Sequence, residues 1–295
     1  AIYQRHWSYE PPVKAAIPAG ANGVDVLVSR RLEQVGLKPS PKADRRTLIR
    51  RLYSDLTGLP PAPEDVAAFE RDTAPDAYAR LVERVLQSPH HGERMAIGWL
   101  DVVRYADTIG YHSDNPRNVW PYRDWVIASF NANQRFDRFT LEQIAGDLLP
   151  DANQSTRVGS AFNRLLLSTE EGGAQPKDYE SRMLADRVRA IGAAWLGQTT
   201  GCAQCHDHPN VPDYAQRDYH GLFAFFNRTY LFTRDRDKKA FIAERAEGDV
   251  TFTSVFTKEA GATRPRLPGA KQLPEPNFPR FAEYLVPPDP KDKNL

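Results

Sequence analysis

Long apolar runs are missing from this chain: no uninterrupted hydrophobic segment approaches the about 20 residues that a bilayer-spanning helix needs, so no helical membrane span is expected. Charge of one sign is missing too. Thirty-nine basic residues face thirty-eight acidic ones, for a formal net charge of +1. That balance provides no field to draw in nucleic acid or an anionic membrane surface. Glycine-rich phosphate loops, a Gly-x-Ser-x-Gly elbow and a His-Glu-x-x-His helix are absent, which argues against a serine or cysteine nucleophile. There is no internal repeat and no heptad pattern. What remains is the composition of a folded protein: 41% hydrophobic and 11% aromatic over 295 residues, enough for one large core or two smaller ones.

Cysteine is also scarce, and its placement is the most informative feature. Both cysteines of the chain fall in the run Cys202-Ala203-Gln204-Cys205-His206. Two thiols separated by two residues and followed at once by histidine are what covalent attachment of a c-type haem requires, with His206 carried under the iron as axial ligand. Two other chemistries use parts of the run: a redox-active or structural Cys202–Cys205 disulfide, and a metal site or reduced thiols beside an ordinary histidine. The histidine separates them, because a dithiol does not need it.

Hydrophobic periodicity predicts a mainly α-helical fold, an irregular multi-helix domain with a small strand- and turn-rich C-terminal part. Residues 1–23, rich in Pro, Ala and Gly, read as an extended arm, residues 24–230 as a helical domain, and residues 231–295 as a mixed extension with a proline-rich tail. Helices are predicted over 24–35, 44–56, from 63, 76–87, 92–106, 119–130, 140–148, 157–167, 178–197 and 217–226, and a half-exposed strand over 249–256. The helix over 178–197 carries an apolar stripe of Leu184, Val188, Ile191 and Trp195 and runs almost directly into the cysteine motif. The helix after it places Tyr219, Leu222, Phe223 and Phe226 on a face that suits either a porphyrin wall or plain core.

If haem is attached, its second axial position must be filled from elsewhere. His208, two residues past His206, cannot easily reach the opposite face of the same iron; its expected task is to bond a propionate, orient a neighbour or bind another metal. Met183, on the long helix, is the first distal candidate, followed by Met95, His91 and His112, with an open, water-held site as the remaining arrangement. Arg123 and Arg187 are candidates for propionate pairing, because a guanidinium fits a carboxylate fork. His206, His208, Asp213 and His220 also include legitimate non-haem metal ligands, though their spacing fits no established short motif. Glu170-Glu171-Gly172-Gly173 places two carboxylates on a flexible turn, and Arg104, Asp107, Asp124 and Asp186 suit either a site lining or ion pairs between helices.

A larger pattern surrounds these residues. Leu56-Thr57-Gly58-Leu59-Pro60, Gly92-Glu93-Arg94, Trp99-Leu100-Asp101-Val102-Val103-Arg104-Tyr105-Ala106-Asp107, Tyr122-Arg123-Asp124-Trp125-Val126, Glu142-Gln143-Ile144-Ala145-Gly146-Asp147-Leu148-Leu149-Pro150 and Gly201-Cys202-Ala203-Gln204-Cys205-His206-Asp207-His208-Pro209 occur in this order, with His6-Trp7 near the start. The chain thereby closely resembles the cytochrome-like domain abundant in planctomycetes, over roughly residues 6–256. The resemblance implies an exported, mainly helical protein with one covalently attached haem c per chain, commonly followed by a second planctomycete-type domain that would begin about where this sequence stops. It also implies a periplasmic or otherwise extracytoplasmic location, although Ala1 to Trp7 do not form a signal peptide. The expected role is one-electron transfer with a redox partner protein or the following domain. Two alternatives stay open: a haem- or metal-dependent oxidoreductase with an open coordination position, and a structural or carbohydrate-associated module in which the cysteines form a disulfide.

Overall fold

Helices account for most of the described chain. The fold, a computed structural model, is described for residues 8, 10–111, 114–169, 171–211, 214–234, 239–244 and 248–267. His6, Trp7, His112, Glu170, Asp213 and the proline-rich tail from residue 268 onward lie outside them. The chain divides into two units, residues 1–83 and 84–295.

In the first unit α1 (Gly23–Gln34) starts where the Asn22 side chain accepts from the backbone N–H groups of Val24 and Asp25. None of its residues is buried, so its predicted apolar stripe faces outward. Asp44 caps α2 (Arg45–Leu56) through the Thr47 N–H, and Pro63 occupies the first turn of α3 (Pro63–Arg71). Ile49, Leu52 and Phe69 form the buried contact between these two helices, and the Arg45 guanidinium lies 4.0 Å above the Phe69 ring. The helix α4 (Ala77–Leu86) contains the division between the units.

The second unit is built on aromatic packing. In α5 (Pro89–Val102) and α6 (Trp120–Asn131) the helices meet closely at Gly92, where a Cβ would lie 2.5 Å from the Ile127 carbonyl oxygen. On α7 (Phe136–Ala145) Phe139 stacks on Trp125 at 5.3 Å between ring centroids and meets Trp99 edge-on at 5.0 Å. Gln143, fully buried, accepts from Tyr122 Oη at 2.6 Å and Trp99 Nε1 at 2.9 Å, and donates to the Phe139 carbonyl at 3.2 Å. A polar centre inside this aromatic core is thus satisfied.

Several predicted helices have different ends. The one expected from residue 92 begins at Pro89, because Ser88 caps it and proline is tolerated in a first turn; it stops at Val102, ahead of Arg104, whose φ of 54° is left-handed. The helix expected over 157–167 is two short pieces, α8 (Gln154–Gly159) and a 3₁₀ segment Ser160–Arg164. The long helix ends sooner than its apolar stripe suggests: α9 (Pro176–Ile191) passes into one π-helical turn, Gly192–Leu196, closed by Gly197 at φ 60°. Trp195 stays on the core side of that turn, donating to Thr140 Oγ1 at 3.1 Å. After α10 (Gln216–Asn227) come two antiparallel hairpins, β1 (Thr229–Arg234) with β2 (Lys239–Glu244) and β3 (Val250–Thr253) with β4 (Ala260–Thr263).

Candidate functional site

The cysteine motif lies on a single 3₁₀ turn, Thr200–Gln204, that continues into Cys205 and His206. Its seat is formed by the end of α9 and the first half of α10. Thr200 is fully buried and donates through Oγ1 to the Val188 carbonyl at 3.3 Å. Gly192 makes this approach possible, since a Cβ there would stand 2.5 Å from Thr200 Cγ2. Arg189 Nη2 donates to Gln204 Oε1 at 2.9 Å, while His220 Nε2 and Gln216 Nε2 both donate to the Gln204 carbonyl, at 3.1 and 3.2 Å. From the other side, the Val255 N–H donates to the Cys205 carbonyl at 3.0 Å. The turn is therefore pinned from three elements, at its side chains by α9 and at its backbone by α10 and by Val255, and Cys202 and Cys205 are left exposed.

Cys202 and Cys205 are both exposed, unpaired thiols. His206, half-buried, donates from Nδ1 to the Asp207 carbonyl at 2.7 Å, and its ring stands 4.7 Å from the ring of Phe256, which is 73% exposed. With Nδ1 committed to a carbonyl, Nε2 carries the lone pair and makes no hydrogen bond to the described residues; a backbone carbonyl on the far nitrogen is the usual way a ligating imidazole is oriented.

His208 is committed to the fold. Its Nε2 donates to the Thr199 carbonyl at 3.1 Å, its Nδ1 accepts from the Asn210 N–H at 3.1 Å, and the side chain is buried. It thus braces the two ends of the motif loop. His220 is buried in a sandwich, its ring parallel to Phe252 at 4.5 Å and edge-on to Tyr219 at 5.2 Å. Burial holds its imidazole below the ordinary histidine value. Beneath the turn, burial also pushes the Tyr219 hydroxyl up to about 12, and neither it nor the Tyr214 hydroxyl has a hydrogen-bond partner among the described residues. Among the described residues no three His, Cys, Asp or Glu side chains gather as metal ligands.

The remaining candidates are dispersed. Met183 is half-buried on α9, six residues before Arg189 and so about 9 Å along the axis from the residue that touches the motif. Met95 on α5 is 43% exposed. Arg123 on α6 pairs with its neighbour Asp124 at 2.8 Å. Arg187, 6% exposed, donates to Thr229 Oγ1 and to the Asn163 carbonyl, and burial lowers its guanidinium to about 10. Two residues apart on a helix point to nearly opposite sides, so Arg189, not Arg187, reaches the motif. Arg104 and Asp186 form a half-buried ion pair at 2.6 Å. Tyr219, Leu222 and Phe226 are buried core, and the ring beside His206 is Phe256, from the turn between β3 and β4. Arg189, Gln216, Phe252 and Phe256 carry no such signal in the sequence because they lie 12 or more residues from these partners or read as ordinary helix and strand positions; only the end of the alternation at Phe256 hints at an exposed ring.

The 84–295 unit is thus mainly helical and presents two free thiols and a histidine on a pinned surface turn. Residues 23–230 match the model of PSCyt2, described as a protein of unknown function (DUF1549). The chain belongs to this family, a planctomycete cytochrome-like domain family. No curated protein and no solved structure matches the chain. Among the described residues no helix is long and apolar enough to cross a membrane.

Proposed function

We propose that the chain is an exported monohaem c-type cytochrome domain whose work is one-electron transfer. The observation that carries this reading is the pairing of two exposed free thiols at Cys202 and Cys205 with a His206 imidazole whose Nδ1 is tied to the Asp207 carbonyl. The residues present fit the group: the sulfurs of Cys202 and Cys205 would hold the porphyrin and His206 Nε2 would hold its iron. When bound, the haem supplies a one-electron couple at its iron.

The chain's own residues do the rest. Gln204, held by His220, Gln216 and Arg189, keeps the turn from unwinding, so the thiols and the imidazole stay at fixed spacing. Phe256 covers one side of the imidazole and limits water there. Arg189, exposed at the edge of the turn, is the guanidinium best placed to meet a propionate, with Arg123 and Arg187 directed elsewhere. Exposure of the motif supports exchange of electrons with a redox partner protein or a neighbouring domain at short range. Covalent attachment of this kind takes place outside the cytoplasm, hence the periplasmic location. Met183 and Met95 are the methionine sulfurs that could serve the iron as a further ligand.

The experiment is a reduced-minus-oxidised visible spectrum with intact mass, on protein exported alongside cytochrome c maturation factors. A mass increase of one haem with a c-type α band is expected, and both are expected to vanish in the Cys202→Ala/Cys205→Ala variant. An unmodified mass without haem absorption, or full covalent haem content in the double variant, removes this function.

A further inference from the structure

A second feature of the 84–295 unit lies away from the motif. Between the loop that follows α5, the start of α6 and the α8 segment is a cleft of about 690 Å³. Three arginines, Arg117, Arg157 and Arg164, line it, and no acidic residue does so among the described residues. Its floor is apolar, made by Ile109, Val119, Val158 and Leu166, and Gln154 and Ser168 add neutral polar groups.

The arginines are not spent on the fold in the same way. Arg117 is half-buried and anchored to main-chain carbonyls: Nε donates to Ala106 at 3.4 Å and Nη1 to Leu166, so its guanidinium is held in place without a carboxylate contact. Asp107 is the acidic group nearest to it in effect, but that carboxylate accepts from the Tyr105 hydroxyl and does not line the cleft. Burial, and then the neighbouring Arg104, pull the Arg117 guanidinium below the ordinary arginine range. Arg157 is exposed on α8 and makes no side-chain hydrogen bond or ion pair with the described residues. A partly desolvated cation held by neutral acceptors gains when an anion arrives, and two guanidinium forks facing one space suit a planar or tetrahedral oxyanion. The volume is within the range of small-molecule sites and far exceeds what a bare phosphate fills.

We propose that this cleft binds a small organic anion, a carboxylate or phosphate carried on an apolar body, with Arg117 and Arg157 taking the oxyanion and the Ile109–Leu166 floor taking the body. No residue of the cysteine motif is involved, so the proposal stands or falls separately from haem attachment. The test is isothermal titration of the full chain with benzoate, phenyl phosphate, inorganic phosphate and benzyl alcohol. Saturable binding of benzoate or phenyl phosphate is expected, tighter than inorganic phosphate and benzyl alcohol and weakening as salt is raised; which of the two binds better tells a carboxylate site from a phosphate site. Arg157→Gln, at an exposed position with no partner to lose among the described residues, is expected to weaken that binding about tenfold with an unchanged unfolding temperature, and Arg157→Lys to restore part of it. No binding of either organic anion, equal binding of benzyl alcohol, equal binding of inorganic phosphate, or unchanged affinity in Arg157→Gln would each overturn it.

Discussion

His220 donates from Nε2 to the carbonyl oxygen of Gln204, 3.1 Å away, from underneath the turn that carries the cysteine motif. The bond links the core of α10 to the surface turn. Because the same carbonyl also accepts from Gln216, the turn cannot shift without stranding two buried donors. Core packing and the position of the outward-facing thiols are therefore coupled, and the coupling can be measured.

Acidification should loosen this link. Burial sets the folded His220 value below 6.5, with the Gln204 carbonyl pulling weakly the other way. The unfolded chain then takes up the proton more readily than the folded one, so the contribution of His220 to stability is complete above pH 6.5 and is lost as pH falls through the lower, folded value. Urea midpoints measured from neutral pH downward are expected to fall for the parent chain and to fall less steeply for His220→Gln. Parallel pH profiles for the two proteins would rule out His220 as the source.

Gly192→Ala is expected to unseat the motif. The new Cβ would stand 2.5 Å from Thr200 Cγ2 and 2.7 Å from Thr200 Oγ1, and Thr200 cannot retreat, being fully buried at the start of the turn. Overpacking of this sort costs about 1–3 kcal/mol. Thermal unfolding should show that loss, and the yield of covalent haem in co-export with maturation factors should drop with it. Gly98→Ala, with nothing within 4 Å of the added carbon, provides the matched helical control and should leave both unchanged or slightly improved.

Gln143→Leu should destabilise the aromatic core although it replaces a polar residue by an apolar one at a fully buried position. Tyr122 Oη would lose its acceptor, and Trp99 Nε1 would keep only the Tyr122 oxygen, at 3.3 Å. Each buried donor left unpaired costs roughly 1–3 kcal/mol. Chemical denaturation should report the deficit, and adding Tyr122→Phe to the same chain should recover part of it. If Gln143→Leu alone is neutral, water reaches this centre and the core is not as closed as its geometry states.

Legibility varied from element to element. The apolar stripes at 44–56, 76–87 and 217–226 located α2, α4 and α10 within a residue or two, because burial of one helical face repeats every turn and leaves its period in the chain. The break at Arg104 was invisible, since a left-handed φ at an arginine is imposed by its surroundings rather than by its own preference. The π-helical turn after Ile191 leaves no mark in the periodicity either: it is closed by the Gly197 N–H reaching back five residues to the Gly192 carbonyl, and Trp195 on it bonds to Thr140, distant in sequence. The hairpin of β1 and β2 carries no readable alternation, and its residues predict only mixed, turn-rich chain.

By itself the sequence determined the helical class, the family-specific motifs and the chemistry available at Cys202, Cys205 and His206, because these depend on residue type and on spacings within a few positions. Only the tertiary structure decided which neighbours serve that chemistry. It set His208 to bracing Thr199 and Asn210, buried Arg187 against Thr229, and brought Arg189, His220 and Phe256 to the motif from three separate elements. It also gathered Arg117, Arg157 and Arg164 around one cleft. Most of these contacts join residues 15 or more positions apart, and they arise from how the elements pack rather than from any pattern a local stretch of chain can carry.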